Sequence, residues 1–365
     1  MNQRLSKLQT WMKDNDIEVG FLTSSENVFY LSGYYTDPHE RLLGLAIFQD
    51  EEPFLVCPAM EVPDAKRSGW EHEIIGYSDI QNPWDMIQNS IQKRLNRVSK
   101  AAIEKEHMNV ERYEHLSKLF PSAIYVSAEE KLRMLRMIKD THELKIIEEA
   151  CALADYAVEF GVSEIKEGKT ELQVLNALEY ALKQKGVTEM SFSTMVLTGA
   201  NAASPHGNPG ETKIQKGDLV LFDLGVVVDR YCSDITRTVA YGDINDKQKE
   251  IYDTVLKAQL AAIEASKPGV SAAELDLTAR RIISEAGFGE YFPHRLGHGL
   301  GISVHEYPSL TETNQLVIEE GMVYTIEPGI YVPAVAGVRI EDDVYITPDG
   351  AKVLTKFPKD LKIIK

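Results

Sequence analysis

Four acidic residues stand where an acid is costly. Asp223 lies in LVLFDLG, Asp234 in YCSDITRTV, Glu327 in VYTIEPG and Glu341 in VRIEDD. Each is set in a strand-like apolar run, and a buried carboxylate pair needs a cation or a shared proton. A chain reversal at Val228 and Asp229 sets Asp223 directly opposite Asp234, with Cβ atoms roughly 4.5 to 5.5 Å apart, a spacing at which like charges repel. A different register, with one Asp as a turn or cap residue, is the alternative. Glu327 and Glu341 occupy corresponding places further along the chain, so four carboxylates converge and a divalent metal is the simplest remedy. Four negative charges match two divalent ions. A pair of ions ~3.5 to 4 Å apart can hold and deprotonate a bridging water for hydrolysis.

Beyond residue 151 the histidines are His206, His294, His298 and His305. His206 falls in the loop-like ASPHGNPG. The others form HRLGHGLGISVH, where Gly297, Gly299 and Gly301 oppose a regular helix and allow close backbone approach. Carboxylates with one or more imidazoles make a mostly oxygen ligand set, which points to Mn²⁺, Co²⁺ or Fe²⁺, with Zn²⁺ compatible, and away from a structural zinc site. Spare histidines would polarise a scissile carbonyl or pass a proton to a leaving amine. The same glycines lack the strand-then-helix frame and the Lys-Ser/Thr of a phosphate loop, so a nucleotide site is rejected.

The elements that must position these groups are legible in outline. A helical pattern over Met1 to Asn15 is followed by apolar runs at 19–22, 43–48, 54–56, 101–103 and 123–126, the alternation of a mixed α/β domain. From Ala128 onward a long helical pattern begins, and the boundary is placed to give domains 1–133 and 134–365. The second domain carries a weak repeat offset by roughly 101 residues. Lys166, Gly168, Thr170, Gln173 and Gly186 correspond to Lys267, Gly269, Ser271, Glu274 and Gly287, a capped helix ending at glycine in each copy. Strand-like runs follow each copy: 193–197, 219–225 and 231–241 after the first, 323–331 and 338–346 after the second. Two such halves predict pseudo-twofold symmetry with a site between them.

Composition removes other classes of answer. The 365 residues, 44% hydrophobic and 26% charged, suit a folded protein of about two domains. A net charge of −17 disfavours nucleic acid and anionic membranes as partners. The basic tract from Lys131 to Lys139 has apolar residues at helical spacing and reads as a solvated helix face. Three cysteines, Cys57, Cys151 and Cys232, without a Cys-x-x-Cys pair, read as buried reduced thiols. No export signal or membrane span is visible, which makes a cytoplasmic location the expectation.

The segments FDLG, SDITRT, HRLGHGLGISVHE, TIEPG and RIED, in this order and spacing, resemble the pita-bread metallopeptidases, in their Xaa-Pro dipeptidase (prolidase) and aminopeptidase P branch. NVFYLSGY resembles the creatinase-type N-terminal domain and LRMIKDTHEL the helix between the domains, so the resemblance covers nearly the whole chain. It implies an α/β (α+β) chain, a creatinase-like domain followed by a pita-bread domain. It implies that Asp223, Asp234, His298, Glu327 and Glu341 hold two divalent ions, Mn²⁺ first among them, with Asp234 and Glu341 bridging. His206 and His305 then match substrate-contacting and proton-handling positions, and His294 and Arg339 further active-site positions.

The implied activity is hydrolysis of the Xaa-Pro bond in short proline-containing peptides by a homodimer. Methionine aminopeptidases share the metal core but usually lack the N-terminal domain. Several prolidases place Arg immediately after the HEYP segment, where it holds the free carboxylate of a dipeptide; here that residue is Ser309. Either another basic residue substitutes, or longer peptides are taken, as by an Xaa-Pro aminopeptidase. A non-catalytic binding protein and a metal-independent creatinase-like hydrolase are the other readings, and the intact ligand set argues against both.

Overall fold

Short apolar runs build the first sheet, in a computed structural model that describes residues 3–205 and 207–365 and divides after Arg136 into two compact units. The first unit runs α1 (Gln3–Asp14), β1 (Val19–Leu22), α2 (Ser25–Ser32), β2 (Gly44–Phe48), β3 (Phe54–Pro58), α3 (Val62–Arg67), β4 (Glu73–Tyr77), α4 (Pro83–Gln92), β5 (Lys100–Ile103), α5 (Val110–Leu119), β6 (Ile124–Ser127) and α6 (Glu129–Met137). Its sheet has the order β4-β3-β2-β1-β5-β6. Strands β1, β2 and β3 are buried at every residue, as continuous apolar runs require, while the edge strands β4 and β6 are partly exposed.

The helical pattern expected as one run from Ala128 is two helices. Asp140 opens the second with a capping box, accepting the N–H groups of His142 and Glu143 while the Glu143 side chain accepts the N–H of Asp140. The second unit contains α7 (Thr141–Ser163), α8 (Glu171–Gln184), β7 (Met195–Thr198), β8 (Asp218–Leu224), β9 (Val227–Val228), β10 (Tyr231–Cys232), β11 (Ile235–Tyr241), α9 (Asp246–Ala265), α10 (Ala272–Glu285), β12 (Gly297–Gly299), β13 (Glu306–Leu310), β14 (Val323–Ile326), β15 (Gly329–Val332), β16 (Ala336–Arg339), β17 (Asp342–Thr347), β18 (Gly350–Val353) and β19 (Ile363–Ile364).

Two sheets, β19-β11-β8-β7 and β13-β12-β14-β17-β18, divide this unit. Residues of α7 and α8 pack in one core with β8 and β11, and residues of α9 and α10 in another with β14 and β17. The repeat read from sequence is seen at its landmarks. Thr170 caps α8 and Ser271 caps α10, and Gly168, Gly186, Gly269 and Gly287 all have positive φ.

The first hairpin departs from the expected register. Asp223 pairs with Thr236, not with Asp234, and Val228 pairs with Tyr231, so the reversal is the two-residue turn Asp229–Arg230. Both turn residues have positive φ, 44° and 72°, a demand that Asp meets more readily than the β-branched Val228. The register moves by two residues, which leaves Asp223 and Asp234 on the same face.

Three runs expected as continuous strands are interrupted. The ladder stops at Ser233–Asp234 between β10 and β11, at Glu327–Pro328 between β14 and β15, and at Ile340–Glu341 between β16 and β17. In the second hairpin, the pairings Ile326 with Asp342 and Gly329 with Arg339 bracket Glu327 and Glu341 and set them opposite one another.

Candidate active site

A cavity of about 410 Å³ brings together Asp223, Asp234, His294, His298, His305, Glu327, Arg339 and Glu341, with Arg295 and Tyr331 and an apolar wall of Phe192, Met195 and Pro205. Of the residues singled out from sequence, only His206 lies outside the described residues.

Three of the acids accept from a neighbouring side chain, and Asp234 is held through its main chain. Arg339 donates Nη2 to Asp223 Oδ2 and Nε to Thr236 Oγ1 at 3.1 Å. Thr236 Oγ1 donates to Glu341 Oε2 at 2.6 Å, and Thr325 Oγ1 to Glu327 Oε1 at 3.2 Å. The main-chain N–H of Asp234 donates to Asp343 Oδ2 at 2.9 Å. Thr325 and Glu327 are two residues apart, whereas the bonds of Arg339 to Asp223 and of Thr236 to Glu341 cross from one hairpin to the other.

His298 is held at one ring nitrogen. Its Nδ1 donates to the Gly299 carbonyl at 3.1 Å, which turns Nε2 toward the acids, 3.2 Å from Glu327 Oε1 and 3.7 Å from Asp234 Oδ2. Its ring meets that of His305 edge-on at 4.3 Å between centroids.

Both ring nitrogens of His294 are committed. Nδ1 donates to the Arg295 carbonyl at 2.8 Å, and Nε2 lies 2.9 Å from the Tyr331 hydroxyl, which itself accepts from Arg339 Nη1 at 2.6 Å. Tyr331 therefore donates to His294. Burial pushes the His294 pKa down against the opposing pull of Glu327, in keeping with this neutral imidazole.

The carboxylates carry opposing pressures. Burial, then the charges of Glu341, Asp223, Asp343 and Glu327, push Asp234 well above the usual carboxylate range; burial and the charges of Glu327 and Asp223 do the same to Glu341. Burial also raises Asp223, against the pull of Arg339. At Glu327 burial is outweighed by the hydrogen bond and charge of His298, with Arg339, and the carboxyl is held down to about 2.

Oδ1 of Asp223 and Oδ1 of Asp234 are buried without a hydrogen-bond partner, and Asp234, His298 and Glu341 each offer a ligand atom within 4.8 Å of one another. Orphaned carboxylate oxygens beside an imidazole nitrogen are what a divalent cation satisfies, so the donor set fits a metal centre. Among the described residues the set is assembled from both hairpins.

Sequence reasoning missed Thr236, Thr325, Tyr331, Asp343 and Arg295. The two threonines were reachable from the period of two around the acids. Arg295 was in view beside His294, but its position was not: it is half-buried in the cavity wall and its Nη1 donates to Ser309 Oγ at 3.1 Å.

Residues 145–348 match the model of metallopeptidase family M24, and residues 4–138 that of the creatinase/prolidase N-terminal domain. The chain belongs to metallopeptidase family M24. Within it, the chain is similar to the Xaa-Pro dipeptidases: it is 47% identical over 362 residues to the Xaa-Pro dipeptidase of Lactobacillus helveticus, covering 99% of this chain and 98% of that one. The YkvY protein of Bacillus subtilis (strain 168) is 57% identical over 361 residues, 99% of each chain. The crystal structure of the prolidase from Pyrococcus horikoshii OT3 superposes with a TM-score of 0.91 at 38% identity, covering 99% of this chain and 100% of that one. The pita-bread architecture, with a creatinase-type domain before it, is thus the fold of this enzyme, and its family implies divalent metal ions.

Proposed function

We propose that this metallopeptidase is an Xaa-Pro dipeptidase with a two-ion centre held by Asp223, Asp234, His298, Glu327 and Glu341. The observation that carries the reading is the convergence of these five side chains in one cavity, with buried oxygens of Asp223 and Asp234 left unpartnered. Manganese is the first choice for the hard, oxygen-rich set, before Co²⁺, Fe²⁺ or Zn²⁺. When bound, the ions supply positive charge that activates water and polarises the scissile carbonyl.

The chain's own groups do the rest. Arg339 holds Asp223 directly and, through Thr236, shares in orienting Glu341. Hydrolysis before proline expels a secondary amine that needs a proton, a task for His305 beside His298, with His206 contacting the substrate. Phe192, Met195 and Pro205 offer the proline ring an apolar wall. His294, with both nitrogens engaged, orients by its ring and by its bond to the Arg295 carbonyl.

Arg295 favours dipeptides over longer peptides. Its guanidinium, steadied by Ser309, stands in the cavity wall and can take a free C-terminal carboxylate as a charge-assisted pair, the task that an Arg at position 309 performs in several prolidases. The domains 1–133 and 134–365, a homodimeric state and a cytoplasmic location belong to the same reading. Among the described residues no helix is long and apolar enough to cross a membrane.

The test is a paired assay: chelator-stripped protein with Mn²⁺, Co²⁺ or Zn²⁺ restored singly, given an Xaa-Pro dipeptide and an Xaa-Pro tripeptide. Metal-restored cleavage of the dipeptide alone is expected. Tripeptide cleavage moves the assignment to an Xaa-Pro aminopeptidase, and cleavage of neither under any metal leaves the binding-protein reading.

A further inference from the structure

Behind the cavity, an ion pair outside the chemistry described above grips the segment that carries that chemistry. Asp276 and Arg280 are one turn apart on α10. Asp276 is fully buried, and its carboxylate accepts Arg280 Nε at 2.8 Å on Oδ2 and Arg280 Nη2 at 3.0 Å on Oδ1. A helical pair at this spacing contributes little when exposed. Here each partner also bonds to main chain that belongs to no helix, and Arg280 lies 3.8 Å from the Glu312 carboxylate as well.

Asp276 Oδ1 also accepts the N–H of Leu296 at 3.0 Å. Arg280 donates Nη1 to the Phe292 carbonyl at 3.1 Å and Nη2 to the His294 carbonyl at 2.9 Å, with its guanidinium carbon 4.5 Å from the centre of the Phe292 ring. The segment held this way contains His294 and Arg295 and leads into His298. The Leu296 carbonyl in turn accepts the N–H of Glu327 at 2.8 Å. One residue, Leu296, thus links the pair on the helix to the main chain of the acid in the cavity.

We infer that Asp276 and Arg280 are positioning residues for this reaction, a clamp buried at Asp276 and partly exposed at Arg280 that sets His294 and Arg295 against Glu327. The inference rests on the proposed dipeptidase reading. The ladder begins only at Leu296, whose N–H also reaches the Leu310 carbonyl at 3.0 Å; residues 292–295 lie outside the strands, and catalytic geometry tolerates little drift. Only a planar fork can grip a carboxylate with two nitrogens and reach two carbonyls at once; a lysine keeps the charge and loses the geometry.

The test compares the metal-loaded full chain with Arg280→Lys and Asp276→Asn on an Xaa-Pro dipeptide, with rates normalised to the folded fraction and melting temperature measured alongside. The clamp predicts that Arg280→Lys folds with a melting temperature near that of the parent while KM rises about tenfold or more, the cost expected when binding groups are misplaced. Asp276→Asn should move KM in the same direction. Unchanged KM and kcat in both folded variants overturns the clamp and leaves the dipeptidase reading standing. Loss explained wholly by a smaller folded fraction, or failure of both variants to fold, makes the pair a stability element and also overturns it. A parent that fails to cut the dipeptide overturns the reaction reading itself.

Discussion

Thr236 and Glu341 meet twice. The N–H of Glu341 donates to the Thr236 carbonyl at 3.0 Å, and the Thr236 hydroxyl donates to Glu341 Oε2 at 2.6 Å. Residues 105 positions apart, one from each hairpin, thereby share a main-chain bridge and a side-chain bond at the centre of the cavity.

Thr236→Val keeps the β-branched shape and removes the hydroxyl that orients Glu341 and accepts from Arg339. The expected outcome is a folded enzyme whose divalent-ion affinity or kcat/KM falls about 10- to 100-fold, the usual effect of losing an outer partner of a metal ligand. Metal titration by calorimetry beside steady-state kinetics checks this; parental affinity and turnover would count against the ligand assignment of Glu341.

Glu327→Ala takes one carboxylate from the proposed centre and one partner from His298. Turnover should fall by more than about a hundredfold with every metal tested, since no other group can supply that charge. Undiminished turnover in a single-turnover assay sinks the mechanism.

Arg295→Ala should raise KM for an Xaa-Pro dipeptide about tenfold or more, as a charged hydrogen-bonded partner is lost. The corresponding dipeptide amide, which has no free carboxylate, should show the same KM with either enzyme. An equal effect on both substrates would remove Arg295 from the carboxylate subsite.

Asp342 is buried beside Glu341 but faces away from the cavity's chemistry. It accepts from Arg237 Nη2 at 2.7 Å, Gln259 Nε2 at 2.7 Å, Thr355 Oγ1 at 2.8 Å and Lys359 Nζ at 2.5 Å. Arg237→Met leaves Lys359 as the counter-charge of Asp342 but strips the buried carbonyls of Phe357, Thr236 and Glu341 of their guanidinium donor, and should destabilise the fold by more than about 2 kcal/mol. Denaturant unfolding followed by circular dichroism gives the value; a change below about 1 kcal/mol would assign the network little part in stability.

Cys57, Cys151 and Cys232 are free and buried. Burial, with the charge of Glu61, pushes the Cys57 thiol up to about 12, and burial raises Cys151 well above the ordinary range. A thiol reacts as its thiolate, whose fraction grows only as pH approaches the raised pKa, so a disulfide reagent should find no fast thiol in the native protein at pH 8. In denaturant all three should react.

Much of the site could be read from the chain alone because acids inside apolar runs are conspicuous. Asp223, Asp234, Glu327 and Glu341 were visible in this way, and the cavity unites them. The turn was less legible. Asp229–Arg230 and Val228–Asp229 differ by one step along the chain, and only the backbone reveals that Val228 is spared a positive φ. The error did little harm, since a register move of two residues preserves the face. Tyr331 and Arg295 were silent for a different reason: a tyrosine or arginine in a strand-rich segment is ordinary until its partner is known. Those partners, Arg339 and Ser309, come from other strands. The breaks at Asp234, Glu327 and Glu341 were hidden too, because a ladder ends by losing partners across the sheet and not by any local breaker, except at Pro328.

Those interruptions give the two small ribbons, β9–β10 and β15–β16, a mechanical character. Each runs on from a large sheet past proposed ligands, Asp234 in one and Glu327 and Glu341 in the other, while Val228 packs against one hydrophobic core and Ile330, Ala336 and Val338 belong to the other. A ribbon therefore ties core packing to ligand position, and a substitution within it is constrained from both ends.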